Sequence, residues 1–179
     1  VTVISRDLLS RIIADSAQHN QISFKREILQ KSHDRYNILG FESTGMSLTI
    51  HSIKSYFDAN MKLLDPKVRN AIFNAKSPIY TKIKDEVPAK YGTSAKVSNS
   101  LVADGCIIDG EVENSVIFRG VKIAKGVTVK NSIVMQGATL SDGASLNYVI
   151  ADKDVIVREH RALMGFATYP IYIAKGSVV

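Results

Sequence analysis

The chain has 179 residues, 45% of them apolar, with a formal net charge of +6 and a single cysteine. That length holds one ordinary domain, or one and a fragment. One cysteine excludes an internal disulfide framework and agrees with a reducing, cytoplasmic location. No apolar run reaches membrane-spanning length, and the charged opening VTVISRDLLSRIIADSAQ is not a signal peptide, so no membrane partner is expected. The basic excess is dispersed, and the aromatics do not interleave with lysines as a single-strand nucleic-acid binder requires, so no nucleic-acid partner is expected either.

In chain order, Val1 to Ile4 reads as a short strand. Ser5 caps a helix with Leu8, Leu9, Ile12 and Ile13 on one face and Asp7 in its first turn. Asn20, Gln21 and Ser23 break it, and a second helix follows with Phe24, Ile28 and Leu29. Tyr36 to Phe41 and Leu48 to Ile50 read as strands, with Gly40 and Gly45 loosening the exit between them. Ser52 caps a helix carrying Ile53, Tyr56, Phe57, Met61 and Leu64, whose helical spacing marks a packing face. Asp65-Pro66 ends it, and Val68, Ala71, Ile72 and Phe73 support one more short helix. Residues 1–76 therefore read as the last part of a larger α/β domain, and the chain as a piece of something longer. Residues 77–92, with Pro78 and Pro88, read as a linker.

Residues 93–179 form the second domain. From Ala95 to Val157 small aliphatic residues recur about every six positions: Val112, Ile117, Ile123, Val129, Leu140 and Leu146. Glycines punctuate them, and Asn-Ser recurs at Asn99-Ser100, Asn114-Ser115 and Asn131-Ser132, with a partial copy at Asn147-Tyr148. One such unit cannot bury its apolar side alone, so the units must stack. The pattern predicts a parallel β-helix: three short strands per coil of about 18 residues, less where a corner is trimmed, β-branched residues inward, Gly, Asn and Asp at corners. A β-sandwich of short strands is the competing architecture. Cys106 falls in or near the interior. Beyond Val157 the beat falters at Arg158, Glu159, His160 and Arg161 and resumes from Leu163 to Ile173; the run YPIYIAKGSVV reads as a final strand pair or a last coil, with Tyr169, Pro170 and Tyr172 placed to cap the open end.

Several stretches carry a family resemblance: SIKSYFDANMKLL (Ser52 to Leu64), SPIYTKIKDEVPAKYG (Ser77 to Gly92), the repeats from Asn99 to Gly126, NSIVMQG (Asn131 to Gly137) and DKDVIV (Asp152 to Val157). In this order they resemble the C-terminal part of bacterial glucose-1-phosphate adenylyltransferase (ADP-glucose pyrophosphorylase), and more closely its GlgD-type subunit. The resemblance implies a mixed fold, a partial α/β nucleotidyltransferase-like segment followed by a left-handed parallel β-helix of hexapeptide repeats. It implies a tetrameric enzyme that makes ADP-glucose and pyrophosphate from ATP and glucose 1-phosphate for glycogen synthesis. Magnesium and ATP are expected for the full catalytic assembly. For this chain the implied partners are a catalytic sister subunit, an oligomer built through the β-helix, and an anionic metabolite effector.

Departures from the family pattern shape the functional reading. Catalytic members place an aspartate in a Gly-Tyr-Trp-x-Asp-Val-Gly-Thr motif before the helix. Counting back from Ile53, that position is Thr49, and the Gly-Thr is His51-Ser52; Glu42 is the alternative carboxylate, on the strand side of the Gly45 turn. A hydroxyl does not hold a divalent cation as a carboxylate does. The Phe-Gly-Lys-Asp-like stretch is Phe24-Lys25-Arg26-Glu27, and the family's glycine-rich nucleotide loop is absent from these residues. The expected role is thus non-catalytic and regulatory, with no catalytic, cofactor-binding or metal residue assigned in this chain. A fragment of a competent adenylyltransferase is the alternative, and a hexapeptide acyltransferase with His160 as base a third. His19, His33 and His51 have no metal-ligand spacing. Guanidinium and ammonium groups suit an anionic effector or a subunit interface. In the resembled family effectors bind between the two domains, which makes Lys82, Lys84 and Lys90 candidates beside Arg119, Arg158 and Arg161.

Overall fold

The computed structural model describes residues 2–42, 45–76, 78–81 and 84–179. The chain divides into two compact units, Val1–Thr44 and Gly45–Val179. The division falls earlier than residue 76, because the helices after Gly45 group with the repeats.

In the first unit, α1 (Arg6–Gln18) starts where expected, with Ser5 Oγ accepting the Leu8 N–H at 3.4 Å. It buries Ile12 and Ser16. The second helix is a single π-helical stretch, Phe24–Leu29, capped by Ser23. The Glu27 carboxylate turns back to accept the N–H groups of Ile22 at 2.6 Å and Ser23 at 2.8 Å. The strands expected near residues 1–4 and 36–41 do not form among the described residues, nor does the one at Leu48 to Ile50. Val1 itself lies outside the described residues. A strand exists only where a neighbour completes its hydrogen-bond ladder, and residues 36–41 have none beside them among the described residues. Val3 and Phe41 are accordingly 96% and 94% exposed.

The second unit holds α2 (Ile53–Lys62), α3 (Pro66–Ile72) and a parallel β-helix. Ser52 and Ser55 form a reciprocal cap on α2, and Asp65 with Pro66 starts α3. The first sheet stacks β1 (Lys90–Tyr91), β4 (Ile107–Ile108), β7 (Lys122–Ile123), β10 (Thr139–Leu140) and β13 (Ile156–Val157). The second stacks β2 (Lys96–Ser98), β5 (Glu111–Glu113), β8 (Thr128–Lys130), β11 (Ser145–Asn147) and β14 (Ala162–Met164). The third stacks β3 (Leu101–Val102), β6 (Val116–Ile117), β9 (Ile133–Val134), β12 (Val149–Ala151) and β15 (Ile171–Ile173). The sandwich alternative is thereby excluded. The first rung, β1, lies inside the stretch read as linker.

The coil is tighter than 18 residues. Register advances by 15 from Ile107 to Lys122, then by 17 from Lys122 to Thr139 and from Thr139 to Ile156. The short coil turns at Asp109-Gly110, where a Cβ on Gly110 would stand 2.5 Å from the Val127 carbonyl oxygen. Inward rows of Ile108, Ile123, Leu140 and Val157, of Val112, Val129 and Leu146, and of Ile117, Val134 and Ala151 are sealed from water. Each fully buried aliphatic side chain contributes roughly 1.5–3 kcal/mol of transfer free energy. Cys106 joins this interior, 1% exposed, its Sγ 3.0 Å from the Phe118 carbonyl oxygen.

Of the two readings of the tail, the last coil is the one that forms. Arg158 to Arg161 form the same corner as the turns at Lys125-Gly126 and Asp142-Gly143, and β14 continues the second sheet. The disguise is His160, which takes the left-handed backbone (φ 56°) that Gly126 and Gly143 take below it. Tyr169 and Tyr172 leave the end open, 80% and 47% exposed, and Pro170 alone of the three is buried.

Candidate functional site

Asn-Ser corners join the second sheet to the third. Asn99, Asn114 and Asn131 all adopt left-handed backbone, with φ of 42°, 48° and 45°. Asparagine tolerates this conformation far better than most residues. Their side chains form a ladder: Asn99 Nδ2 donates to Asn114 Oδ1 at 2.9 Å, Asn114 to Asn131 at 2.6 Å, and Asn131 to Asn147 at 2.9 Å. The serines make a second ladder. Ser100, Ser115 and Ser132 hydroxyls accept the N–H of Ser115, Ser132 and Val149, each at 3.1 Å. Each donates in turn to a carbonyl two residues back, at 2.6–2.7 Å. The dipeptide thus answers a backbone requirement of the coil.

The outer face of the third sheet is apolar and covered. Phe57 and Leu64 pack with Val116, Ile133 and Ile150, and Tyr56, Met61, Leu101, Phe118, Met135 and Tyr148 flank them. The helical stripe read from sequence is this contact. At the start of α2, Ile50, Ile53, Tyr56, Met135 and Ile150 line a shallow apolar groove of about 360 Å³. At its rim, Tyr172 OH donates to Asp152 Oδ2 at 2.7 Å. That hydrogen bond holds the Asp152 carboxyl below its usual range and pushes the Tyr172 hydroxyl up. Burial raises Tyr56 as well.

The charged candidates fall in separate places. Lys82 lies outside the described residues. Lys84 pairs with Glu86 at 2.5 Å, and the Glu86 carboxyl is held low by Lys84 first, with the Arg119 charge adding to it. Arg119 is half-buried at the corner between the third and first sheets, beside Gly120. Lys90 is exposed on β1. Arg158 and Arg161 flank His160 at a different corner, between the first and second sheets, and all three are exposed. Lys84 is thus paired with Glu86, within the field of the Arg119 charge, and the other two arginines lie elsewhere. Charge spacing in the sequence carries no signal for this, because corner membership depends on coil length.

The stretch before α2, where counting back from Ile53 places the resembled family's aspartate, carries no carboxylate from Thr49 to Ser52. Thr49 offers only a hydroxyl, and the N–H groups of His51 and Ser52 are both committed to Ser55 Oγ at 2.9 Å. Among the described residues, no three His, Cys, Asp or Glu side chains converge as metal ligands. No helix among them is long and apolar enough to cross a membrane.

Stacked six-residue rungs on three parallel sheets define a hexapeptide-repeat protein, and residues 85–167 match the family described as GlmU-like, C-terminal hexapeptide. The chain is similar to the C-terminal regions of GlgD and glucose-1-phosphate adenylyltransferase proteins, as its motifs indicated. It is 41% identical to the glycogen biosynthesis protein GlgD of Bacillus subtilis (strain 168), over 99% of this chain and 52% of that protein. It is 42% identical to GlgD of Geobacillus stearothermophilus, over 71% of this chain and 37% of that protein. Against the glucose-1-phosphate adenylyltransferase of Thermosipho africanus (strain TCF52B) it is 33% identical, over 73% of this chain and 32% of that protein. The chain spans about half the length of the B. subtilis relative.

Proposed function

We infer that this chain is the C-terminal, β-helix-bearing part of a non-catalytic, regulatory subunit of ADP-glucose pyrophosphorylase. It supports conversion of ATP and glucose 1-phosphate to ADP-glucose and pyrophosphate through subunit assembly and allosteric modulation of a catalytic sister subunit. The observation that carries this reading is the 41% identity to a GlgD protein along 99% of the chain, against 33% along 73% for an adenylyltransferase. Thr49 at the place of the family's aspartate agrees with it. In this reading residues 1–76 are the end of a nucleotidyltransferase-like α/β domain, and the β-helix is left-handed and mediates oligomer contacts. Magnesium and ATP act on the catalytic partner. Lys82, Lys84, Lys90, Arg119, Arg158 and Arg161 are the candidate contacts for an anionic effector or the partner subunit.

A partner that biases an active state must bind that state more tightly. The test is pyrophosphate release by the full-length protein, by its catalytic sister and by both together, with magnesium and ATP. The expected result is no turnover by this protein alone and a changed kcat or effector response in the mixture. The second reading, part of a competent enzyme, draws on 32–33% identity to adenylyltransferases. Turnover by the full-length protein alone would establish it.

A further inference from the structure

The face that receives α2 repeats itself. Leu101, Val116, Ile133 and Ile150 occupy equivalent places on successive rungs. Rungs stand about 4.8 Å apart, so an apolar helix on this face has several similar seats. The connection from Leu63 to Lys90 is long enough to serve more than one of them. Something else must select the seat.

The corner column beside this face supplies the asymmetry. Three corners are asparagine; the fourth is Tyr148, at φ 54°. A bulky side chain is disfavoured in left-handed backbone, so its presence asks for a compensation. The place of Asn131 passes to Tyr148, since Tyr148 N donates to Lys130 O as Asn131 N donates to Glu113 O. Asn147, one residue early, still accepts from Asn131 and preserves the amide ladder. Tyr148 is thereby released from the ladder, and its ring stands 6.1 Å from that of Phe57, centroid to centroid, tilted by 46°. Phe57 is the most buried aromatic of α2, 4% exposed.

We propose that Tyr148 is the register key that fixes where α2 sits along a repeating face. A one-rung slip toward the first coil brings Phe57 beside the Asn131 amide, which is already engaged in the ladder and offers no aromatic surface. The fourth corner therefore trades local backbone comfort for a single docking position.

Hydrogen exchange of the full chain tests this, reading α2 amides against the coil amides of Val129 and Val134. In Tyr148→Asn, α2 protection is expected to fall at least tenfold while the coil amides keep theirs, and the Ile133 and Ile150 methyl signals broaden as seats interconvert. Tyr148→Phe retains the ring and is expected to behave as the parent. Phe57→Leu is expected to change α2 protection less in the Tyr148→Asn background than alone. Unchanged or increased α2 protection in both Tyr148→Asn and Tyr148→Gly overturns the proposal, since Tyr148 is then only tolerated strain. Equal loss at α2 and at the coil amides also overturns it, because the residue then serves the coil.

Discussion

The hydroxyl of Ser132 accepts the N–H of Val149, seventeen residues on, at 3.1 Å, and both residues are fully buried. The same hydroxyl donates to the Lys130 carbonyl at 2.6 Å. One side chain thus bridges two coils where no water reaches. A buried N–H left without an acceptor costs about 1–3 kcal/mol. Ser132→Ala is expected to destabilise the β-helix by about that amount, and Ser115→Ala similarly. Ser100→Ala, nearer the surface, should cost less. Urea unfolding of the three variants gives the ranking.

Phe57 has a different kind of worth. Its ring fills the space between α2 and the third sheet. Large-to-small substitution of a buried aromatic costs about 3–5 kcal/mol. Phe57→Ala is expected to lie at the lower end, since the face below can still collapse with Tyr56 and Met61. Calorimetry should show a lowered Tm with the strand signal largely intact.

The Asp152–Tyr172 hydrogen bond makes a pH prediction with a definite sign. A carboxyl whose folded pKa is depressed adds stability above its unfolded value, about 3.9, and that stability is lost as pH falls through the folded value. A tyrosine whose folded pKa is raised adds stability below about 10, lost as pH rises through the folded value. The pair therefore contributes between these limits. Tyr172→Phe is expected to reduce stability slightly at neutral pH and to converge with the parent at both extremes. Denaturation midpoints across the pH range measure the convergence.

Cys106 is sealed inside the coil, and burial pushes its thiol pKa up. The thiolate is the reactive form. Native protein is expected to react with a thiol reagent only as fast as the coil opens, and denatured protein at once. Fast stoichiometric labelling under native conditions would contradict the packing.

Much of the fold was legible because coil stacking is a one-dimensional problem. Val112, Val129 and Leu146 recur because each must lie over the last, and Asn99, Asn114 and Asn131 recur because a left-handed corner recurs. Tyr148 and His160 were opaque for the same reason. Each occupies a corner whose backbone demand is met by a residue type that signals no corner, so the partial copy appeared one residue early and the tail seemed to break the beat. Among the site candidates, sequence named Lys84 without showing that Glu86 pairs with it.

The order of residues by itself determined the parallel coil, its interior rows, the caps of α1, α2 and α3, and the likeness to GlgD and adenylyltransferase proteins. These follow from local conformation and from repetition at a fixed spacing. Tertiary structure alone decided which face α2 covers, that residues 36–41 form no strand among the described residues, and that Lys84 pairs with Glu86. Those outcomes depend on which surfaces come close in space, and coil lengths of 15 and 17 residues shift that proximity without leaving a mark on any single side chain.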